Sequence, residues 1–287
     1  MWNEECRKGR GKDGGRGMKD EERSLPYTHT VALFIVFAVL WLLPDVAAYL
    51  EREPDAAWAR VQASGVIRFA TDASYHPFEG VGSDGVFYGL DIDVAREAAR
   101  RIGLGAEFVN IGIDGLYDVL RVGLADASIS ALPLDPARLG RWAYSRSYFE
   151  AGLVLITQED RRLEIGGLPG SRVAVVFGSD GDAWLREQQR RTSGIEAARF
   201  DSALAALQAV VEEQVDAAVL DAVTARQMLA QQFGDLHSAA QLTHEPYVIA
   251  VWGESVELRA ALDRALEAMQ ADGALERIVE EWMRNEE

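Results

Sequence analysis

The side chains that could do chemistry in this 287-residue chain cluster just after predicted strands. The first group follows a strand predicted at 66–70, where Asp72 offers a carboxylate and Tyr75 and Phe78 offer aromatic faces. In folds built from alternating strands and helices, ligands bind at the carboxyl ends of strands. This segment is therefore a candidate binding loop. The alternative interpretation is a turn whose aromatic residues cover the core.

A second group follows a strand predicted at 127–129. Ser130 offers a hydroxyl, Ala131 offers a backbone amide, and Arg138 offers a guanidinium. An arginine presents a planar fork of N–H donors that can hold a carboxylate through two parallel hydrogen bonds. The group therefore predicts a loop that could hold an anion, and the alternative for Arg138 is a surface cation.

Two further groups lie where predicted strands lead into predicted helices. Gly178, Ser179 and Asp180 follow the strand at 172–177, and Asp221 follows another short strand. Free amides at a helix start form an anion site, although Ser and Asp in such places also serve as ordinary helix caps. Taken together, the four groups supply opposite charges and stacking faces, which suit a small zwitterion.

The elements that must position these groups alternate along the body of the chain. Apolar runs predict strands at 66–70, 106–109, 127–129, 153–157, 172–177, 217–220 and 248–251. Helical spacing of apolar residues predicts helices at 91–102, 116–121, 182–189, 202–212, 222–232, 256–270 and 274–283. Asp91 is placed to cap the first of these helices. The alternation predicts an α/β fold with parallel-type sheets covered by helices on both faces.

The N-terminal residues differ from this body. Residues 1–30 are polar and predict a disordered tail, and 31–43 is an uncharged apolar run. The run suits a secretory signal, and it is short for a membrane span, which needs about 20 residues. The segment 31–50 is therefore a signal peptide or a signal anchor, with a buried helix as a third alternative. Residues 51–61 predict a linker or a short helix.

Charge and cysteine content exclude several classes of function. The formal net charge is −17, and all of it lies in residues 51–287, which argues against a nucleic-acid-binding surface. The single cysteine, Cys6, excludes an intrachain disulfide and a Cys/His zinc cluster. No motif for a metal or an organic cofactor is present, so no cofactor and no catalytic residue are expected.

Several motifs resemble one protein family. The stretch from Phe69 reads FATDASYHPFEG, and the stretch from Asp114 reads DGLYDVLRVGLADASISALPLDPAR. These motifs, followed in order by VDAAVLDAV, EPYVIAV and ALEAMQADGALERIVEEW, resemble the family 3 solute-binding proteins of ABC importers, the polar amino-acid-binding group. The resemblance spans about three quarters of the chain.

The resemblance implies a periplasmic-binding-protein fold of type II, with two lobes joined by a two-strand hinge. Residues 62–156 and 247–287 would form lobe 1, and residues 157–246 would form lobe 2. The N-terminal hydrophobic segment would precede them.

The resemblance also assigns ligand-binding roles to residues at matching positions. Arg138 would hold the ligand carboxylate from lobe 1, and Asp221 would hold the ligand ammonium from lobe 2. Asp72 and Tyr75 match positions that contact the amino group and stack on the ligand, and Ile113 matches a wall position. Ser179 and Asp180 match positions that face the carboxylate.

Three departures from the family pattern change the expected ligand. Where the family commonly has a hydroxyl residue after the middle strand, this chain has Pro133, which has no amide hydrogen. Asp180 adds a negative group near the expected carboxylate, and Ile113 replaces a frequent aromatic residue. An amino acid is still the expected ligand, and a cationic or modified amino acid or another amine-bearing solute suits the extra carboxylate.

The resemblance implies an extracytoplasmic protein that captures a small polar solute by lobe closure and delivers it to an ABC transporter permease. It would act as a monomer in the periplasm or at the outer face of the membrane, released or held by the segment 31–50. One alternative is a dehydratase of the cyclohexadienyl or arogenate type, for which His76 and Asp180 are the candidate acid or base. The other is a membrane-anchored sensor module. The end of the chain at Glu287 disfavours an added catalytic or signalling domain.

Overall fold

The computed structural model describes residues 55–158, 163 and 165–284, all within the compact unit Pro54–Glu287. The predicted tail at 1–30 and the signal or anchor at 31–50 lie outside the described residues. Among the residues described, no helix is both long and apolar enough to cross a bilayer.

The first part of the fold begins with a helix in the segment predicted as linker or helix. In chain order its elements are α1 (Ala56–Ser64), β1 (Val66–Thr71), β2 (Ser74–Tyr75), β3 (Glu79–Val81), β4 (Phe87–Tyr88), α2 (Leu90–Ile102), β5 (Gly105–Asn110), α3 (Asp118–Arg121), β6 (Ala127–Ser128), β7 (Trp142–Ala151) and β8 (Leu153–Gln158). Short 3-10 helices lie at Ile113–Gly115 and Pro136–Arg138.

The second part continues the alternation of strands and helices. A 3-10 turn at Ile165–Gly167 precedes β9 (Arg172–Val176), α4 (Asp180–Arg191), β10 (Glu196–Phe200), α5 (Ala203–Val211), β11 (Ala217–Asp221), α6 (Ala222–Gln231), β12 (Leu236–Gln241), β13 (Glu245–Trp252), α7 (Val256–Ala271) and α8 (Ala274–Arg284).

The strands form two five-stranded sheets and one small antiparallel sheet. The first sheet has the order β5-β1-β6-β13-β7, and the second has the order β10-β9-β11-β8-β12. In each sheet the first three strands are parallel, and the other two run antiparallel to their neighbours. The predicted α/β fold with two lobes is therefore confirmed, and its sheets are mixed rather than wholly parallel.

The sequence did not predict the short strands of the small sheet, nor three strands of the larger sheets, β7, β10 and β12, which all lie at sheet edges. The sequences EAARF in β10 and LHSAAQ in β12 each contain one buried residue and lack a continuous apolar run. Edge strands are only partly covered, so they carry polar and charged residues that weaken the apolar signal.

Helices cover both faces of each sheet. In the first lobe, α2, α7 and α8 enclose Phe69 and Leu262 on one face, while Leu116 and Trp142 pack on the other. In the second lobe, α5 and α6 cover one face, and α4 contributes Leu185 to the other. Burying both faces explains why the central strands read as apolar runs.

The chain crosses between the sheets twice, at Gly152 and between β12 and β13. Gly152 has φ +88°, and a Cβ there would lie 2.5 Å from the backbone oxygen of Thr243, so only glycine fits. The Leu153 amide donates to Thr243 Oγ1 at 2.8 Å, and the Leu242 amide donates to the Leu153 oxygen at 2.8 Å. The crossing segments thus touch directly. The lobe boundaries predicted at 156/157 and 246/247 stay a prediction.

Candidate functional site

A cavity of about 450 Å³ lies at the crossing segments, where the chain passes from one sheet to the other. Aromatic residues from both lobes line it, namely Tyr75, Trp184 and Tyr247, and Gly152 lines it as well. Its volume falls in the range of roughly 300–1,000 Å³ that is usual for small-molecule sites. The cavity is therefore the candidate binding site.

Three carboxylates line this cavity, those of Asp180, Asp221 and Glu245, and no Lys or Arg is among its described lining residues. Burial raises the pKa of Tyr75, and the negative charge of Asp221 raises it further. The pKa of Tyr247 is raised in the same way, by burial and by surrounding tyrosine and carboxylate groups. The field in the cavity is therefore negative, which favours a cationic ligand.

Asp221 reaches the cavity because it sits at the junction of β11 and α6. It caps α6, with the Thr224 amide donating to its Oδ1 at 2.8 Å, and its side chain remains exposed. Asp180 occupies the first position of α4, after Ser179, which caps that helix by accepting from the Asp182 amide at 3.2 Å. Two helix starts thus carry two of the three carboxylates.

Buried Asp182 holds the turn that leads into α4. Its Oδ2 accepts from the Gly178 amide at 3.1 Å and from Arg186, and its Oδ1 accepts from Arg199 Nε at 2.9 Å. Burial by itself would raise the pKa of Asp182, but these donors stabilise the charged form and hold that pKa below its usual value. Gly178 has φ +76° in this turn. Gly178 and Ser179 therefore shape the loop, and neither appears among the cavity-lining residues described.

On the first-lobe side, hydrogen bonds join the loops after β1 and β6. The Asp72 amide donates to Ser130 Oγ at 3.0 Å, and Ser130 Oγ donates to Glu79 Oε1 at 2.6 Å. The Ala131 amide, at a residue with φ +43°, donates to Asp91 Oδ2 at 2.5 Å. Register places these loops side by side, because β1 and β6 are adjacent parallel strands.

Glu79 and Asp91 form a buried carboxyl pair beneath those loops. Burial and the neighbouring charge of Asp91 raise the pKa of Glu79 to about 10, and burial also raises the pKa of Asp91. Glu79 Oε2 and Asp91 Oδ1 have no other hydrogen-bond partner among the described residues, which fits a proton shared between the two groups. The predicted capping role of Asp91 is wrong, because α2 begins at Leu90 and the Asp91 side chain turns inward.

The remaining candidates of the first lobe adjoin the cavity without lining it. The Ile113 amide donates to Asp72 Oδ2 at 2.8 Å, and the Ile113 side chain is exposed. Phe78 is fully buried, stacks behind Tyr75 at 5.5 Å and packs edge-on against Tyr247. Pro133 forms a bridge with Tyr247. In this conformation Phe78 supports the wall through Tyr75 and offers no face of its own.

Arg138 lies outside the described cavity lining. Its guanidinium carbon is 4.4 Å from the ring centre of Tyr117 and 5.9 Å from that of Trp142. Arg138 Nε also donates to Asp135 Oδ2 at 3.0 Å. Of the twelve candidates, the structure therefore brings Tyr75, Asp180 and Asp221 to the cavity. It places Asp72, Ser130 and Ala131 in the first-lobe network.

The cavity residues that the sequence analysis missed include two aromatic rings and one charge, those of Trp184, Tyr247 and Glu245. Trp184 lies one helical turn after Asp180, and residues four apart share a helix face, so this spacing could have revealed it. Glu245 begins β13 within the EPYVIAV motif, where its charge was not weighed. No cluster of metal-ligating side chains occurs in the part of the chain that the structure describes.

Comparisons with known proteins agree with this architecture. The family model of bacterial extracellular solute-binding proteins, family 3, matches residues 67–285. The histidine-binding periplasmic protein of Escherichia coli strain K12 is 29% identical over 237 residues, covering 79% of this chain and 90% of that protein. The ABC transporter arginine-binding protein 1 of the same strain is 25% identical over 226 residues, covering 77% and 91%.

A solved structure shows the same fold. The L-cystine solute receptor of Neisseria gonorrhoeae, in its unliganded open conformation, aligns with a TM-score of 0.67 at 21% identity, covering 78% of this chain and 95% of that one. The two sheets, the paired crossings and the matched residues define the class, a two-lobed extracytoplasmic solute-binding protein. The chain belongs to the bacterial extracellular solute-binding proteins of family 3.

Proposed function

We propose that this protein captures a cationic amine solute, most simply a cationic amino acid, in the cavity at the crossing segments and delivers it to an ABC transporter permease. The observation that carries the proposal is the lining itself. Asp180, Asp221 and Glu245 supply three carboxylates, and no Lys or Arg balances them among the described lining residues. Relatives with names that specify arginine and histidine binding support this class of ligand.

The number of carboxylates suggests a ligand with a second positive group. One ammonium could be held by Asp221, the residue at the start of α6. Asp180 and Glu245 would then face a second cationic group on the ligand side chain. Tyr75 and Trp184 line the same space and offer ring faces, which attract cations by about 0.5–2 kcal/mol.

The carboxylate end of such a ligand is assigned to Arg138 on the first lobe. Its side chain is 46% exposed and rests on the ring of Tyr117, so it can reorient without disturbing the core. Asp72 and Ile113, held together by a hydrogen bond of 2.8 Å, would form the adjoining wall. A ligand bound in this way would touch both lobes.

Contact with both lobes would drive closure. A ligand shifts a conformational equilibrium only by its difference in affinity for the two states. The lobes are joined at Gly152 and Thr243, where short hydrogen-bonded segments can take up a hinge rotation. Closure around the solute would present the loaded form to the permease.

Three further expectations accompany this function. The segment 31–50 would direct export and then either be cleaved or anchor the protein beside the permease, and the protein would act as a monomer. Binding would occur without turnover. Of the two candidate acid or base residues, His76 is exposed on its loop and is not among the described residues that line the cavity, and Asp180 would face a cationic group of the ligand.

A thermal-shift screen of the full chain tests the proposal. The probes are the twenty standard L-amino acids, L-ornithine, putrescine and succinate. A ligand present at 100 times its Kd adds about 2.7 kcal/mol to the free energy of unfolding. We expect the cationic amino acids to raise Tm most. A screen in which no amine raises Tm, or in which succinate raises it most, would overturn the proposal.

Turnover is tested on the same samples. After incubation with each stabilising solute, mass spectrometry of the supernatant should recover the solute with its mass unchanged. Loss of water from a solute, abolished in the Asp180→Asn variant, would instead establish the dehydratase alternative.

A further inference from the structure

The segment that carries Arg138 holds an acidic residue three positions earlier, and this residue has two roles. Asp135 Oδ1 accepts from the Ala137 amide at 2.9 Å and so caps the 3-10 helix Pro136–Arg138. Asp135 Oδ2 accepts from Arg138 Nε at 3.0 Å. The two side chains are 40% and 46% exposed, so the pair lies within reach of a solute.

This ion pair occupies part of the donor fork that a ligand carboxylate would use. A guanidinium holds a carboxylate best through two parallel N–H donors, and Nε belongs to one such pair of donors. With Nε directed to Asp135, a carboxylate must displace that contact or approach the terminal nitrogens alone. The negative charge of Asp135 also repels a second carboxylate close to it. The arrangement therefore opposes capture of the carboxylate.

Nearby groups do not compensate for this loss. Pro133 has no amide hydrogen to donate. Ser130 Oγ already donates to Glu79, and the Ala131 amide already donates to Asp91. In this conformation the Ser130 hydroxyl and the Ala131 amide are engaged within the protein, which leaves Arg138 as the charged group of this loop for a ligand carboxylate.

We propose that Asp135 is a specificity-determining residue, which competes with the solute carboxylate for Arg138 and so shifts selection toward the cationic end of the solute. The inference rests on the proposed function, since it concerns the carboxylate end of the same ligand. It assigns to Asp135 a role beyond capping its short helix. It also implies that the amino acid and its decarboxylated amine differ less in affinity for this protein than they would if Asp135 did not compete for Arg138.

The test compares Asp135→Asn with the wild-type full chain. Asparagine caps a helix about as well as aspartate, so the variant removes the charge and keeps the bond to Ala137. Asp118→Asn is the matched control, because Asp118 forms another exposed ion pair with an arginine three residues later, Arg121. Calorimetry gives Kd for L-arginine and agmatine and for L-histidine and histamine, pairs that differ in the carboxylate. If the screen favours another amino acid, that compound and its decarboxylated amine are the probes.

The expected result is a gain that depends on the carboxylate. Exposed ion pairs contribute up to about 1 kcal/mol, so we expect Asp135→Asn to bind the amino acid about twofold to fivefold more tightly. The decarboxylated amine should bind with unchanged Kd, and Asp118→Asn should match the wild type with both. In an Arg138→Ala background, Asp135→Asn should not improve the affinity, because the guanidinium for which Asp135 and the ligand carboxylate compete is absent.

Each other outcome overturns the proposal in a recognisable way. Equal gains for the amino acid and its amine would mean a general effect of charge, and weaker binding of the amino acid would mean that Asp135 positions Arg138 favourably. Unchanged Kd with a wild type that binds the amino acid would refute the inference and leave the proposed function standing. A wild type that binds no amine at all would refute the proposed function itself.

Discussion

The two sides of the cavity are built in different ways. On the first-lobe side, the loops after β1 and β6 are joined by buried hydrogen bonds through Ser130 to Glu79 and through Ala131 to Asp91. On the second-lobe side, the exposed carboxylate of Asp221 lies at a helix start and its only described hydrogen bond is its own cap. The first side is therefore set in shape before a ligand arrives, and the second side offers charge.

Each lobe also contains a buried aspartate held by two arginines, in different places. Asp126 accepts from Arg60 and Arg68 just before β6, on the side of the strand away from the binding loops. Asp182 accepts from Arg199 and from the Gly178 amide, directly beneath the loop that carries Asp180. The second lobe thus holds its binding loop with the buried charge of Asp182, whereas the first lobe holds its binding loops with the carboxyl pair of Glu79 and Asp91.

The largest expected effect on ligand affinity comes from removing either the positive charge of Arg138 on the first-lobe side or the negative charge of Asp221 on the second-lobe side. Losing one partner of a buried charged pair costs about 2–5 kcal/mol, and each 1.4 kcal/mol is about tenfold in Kd. We therefore expect Asp221→Asn and Arg138→Ala each to weaken amino-acid binding by roughly 30-fold to several thousand-fold, measured by calorimetry.

The Tm measured without ligand distinguishes a variant that has lost binding from one that has lost its fold. Asparagine at position 221 still caps α6, so Tm without ligand should be unchanged. Asp235→Asn is the control, since it removes an exposed charge on the same lobe away from the cavity. Unchanged Kd in both Asp221→Asn and Arg138→Ala would mean that neither side holds the ligand as assigned.

A second prediction concerns the pH dependence of the first-lobe side. Above about pH 4.5 the unfolded chain has lost the Glu79 proton, whereas the folded protein keeps it up to about pH 10. The folded state then binds more protons, so its free energy of unfolding falls as pH rises through this window, by at most about 1.4 kcal/mol per pH unit. Urea unfolding at pH 8 and pH 9.5 measures the fall, because burial raises the pKa of Asp91 only to about 7.

Glu79→Gln should reduce this fall in the free energy of unfolding at alkaline pH, called here the alkaline limb. Glutamine carries no titrating proton and can still form hydrogen bonds with Ser130 and Asp91. Asp182 provides the contrast in the second lobe. Its lowered pKa makes its contribution present at neutral pH and lost only in acid, so Asp182→Asn should leave the alkaline limb unchanged. An equally steep limb in Glu79→Gln would show that the buried pair does not hold the extra proton.

The smallest expected effect belongs to Asp180, an exposed carboxylate of the second side that shares the cationic group of the ligand side chain with Glu245. Asp180→Asn should weaken a dicationic ligand such as L-arginine by a few-fold, since exposed charges contribute up to about 1 kcal/mol. L-glutamine, which has no side-chain charge, serves as the comparison in the same calorimetric series. Equal loss with both ligands would place Asp180 at the α-amino group and not at the side chain.

Much of the fold was accessible from sequence, because central strands and amphipathic helices leave strong patterns. The strands at Val66–Thr71 and Ala217–Asp221 were predicted within one residue, as was α7 at Val256–Ala271. The edge strands β10 and β12 were missed, since half-covered strands lack an apolar run. Three candidate site residues were brought to the cavity, while Trp184 and Glu245 were not foreseen.

The residue pattern alone established the order of elements and the acidic character of the body, because hydrophobic periodicity and charge are properties of the chain itself. It could also place candidate groups after strands. Folding alone decided that Asp91 turns inward to Glu79 and that Arg138 rests on the ring of Tyr117. Such pairings join residues that are brought together by packing and rotamer choice, and desolvation then sets their charge. Neither spacing nor composition encodes those distances.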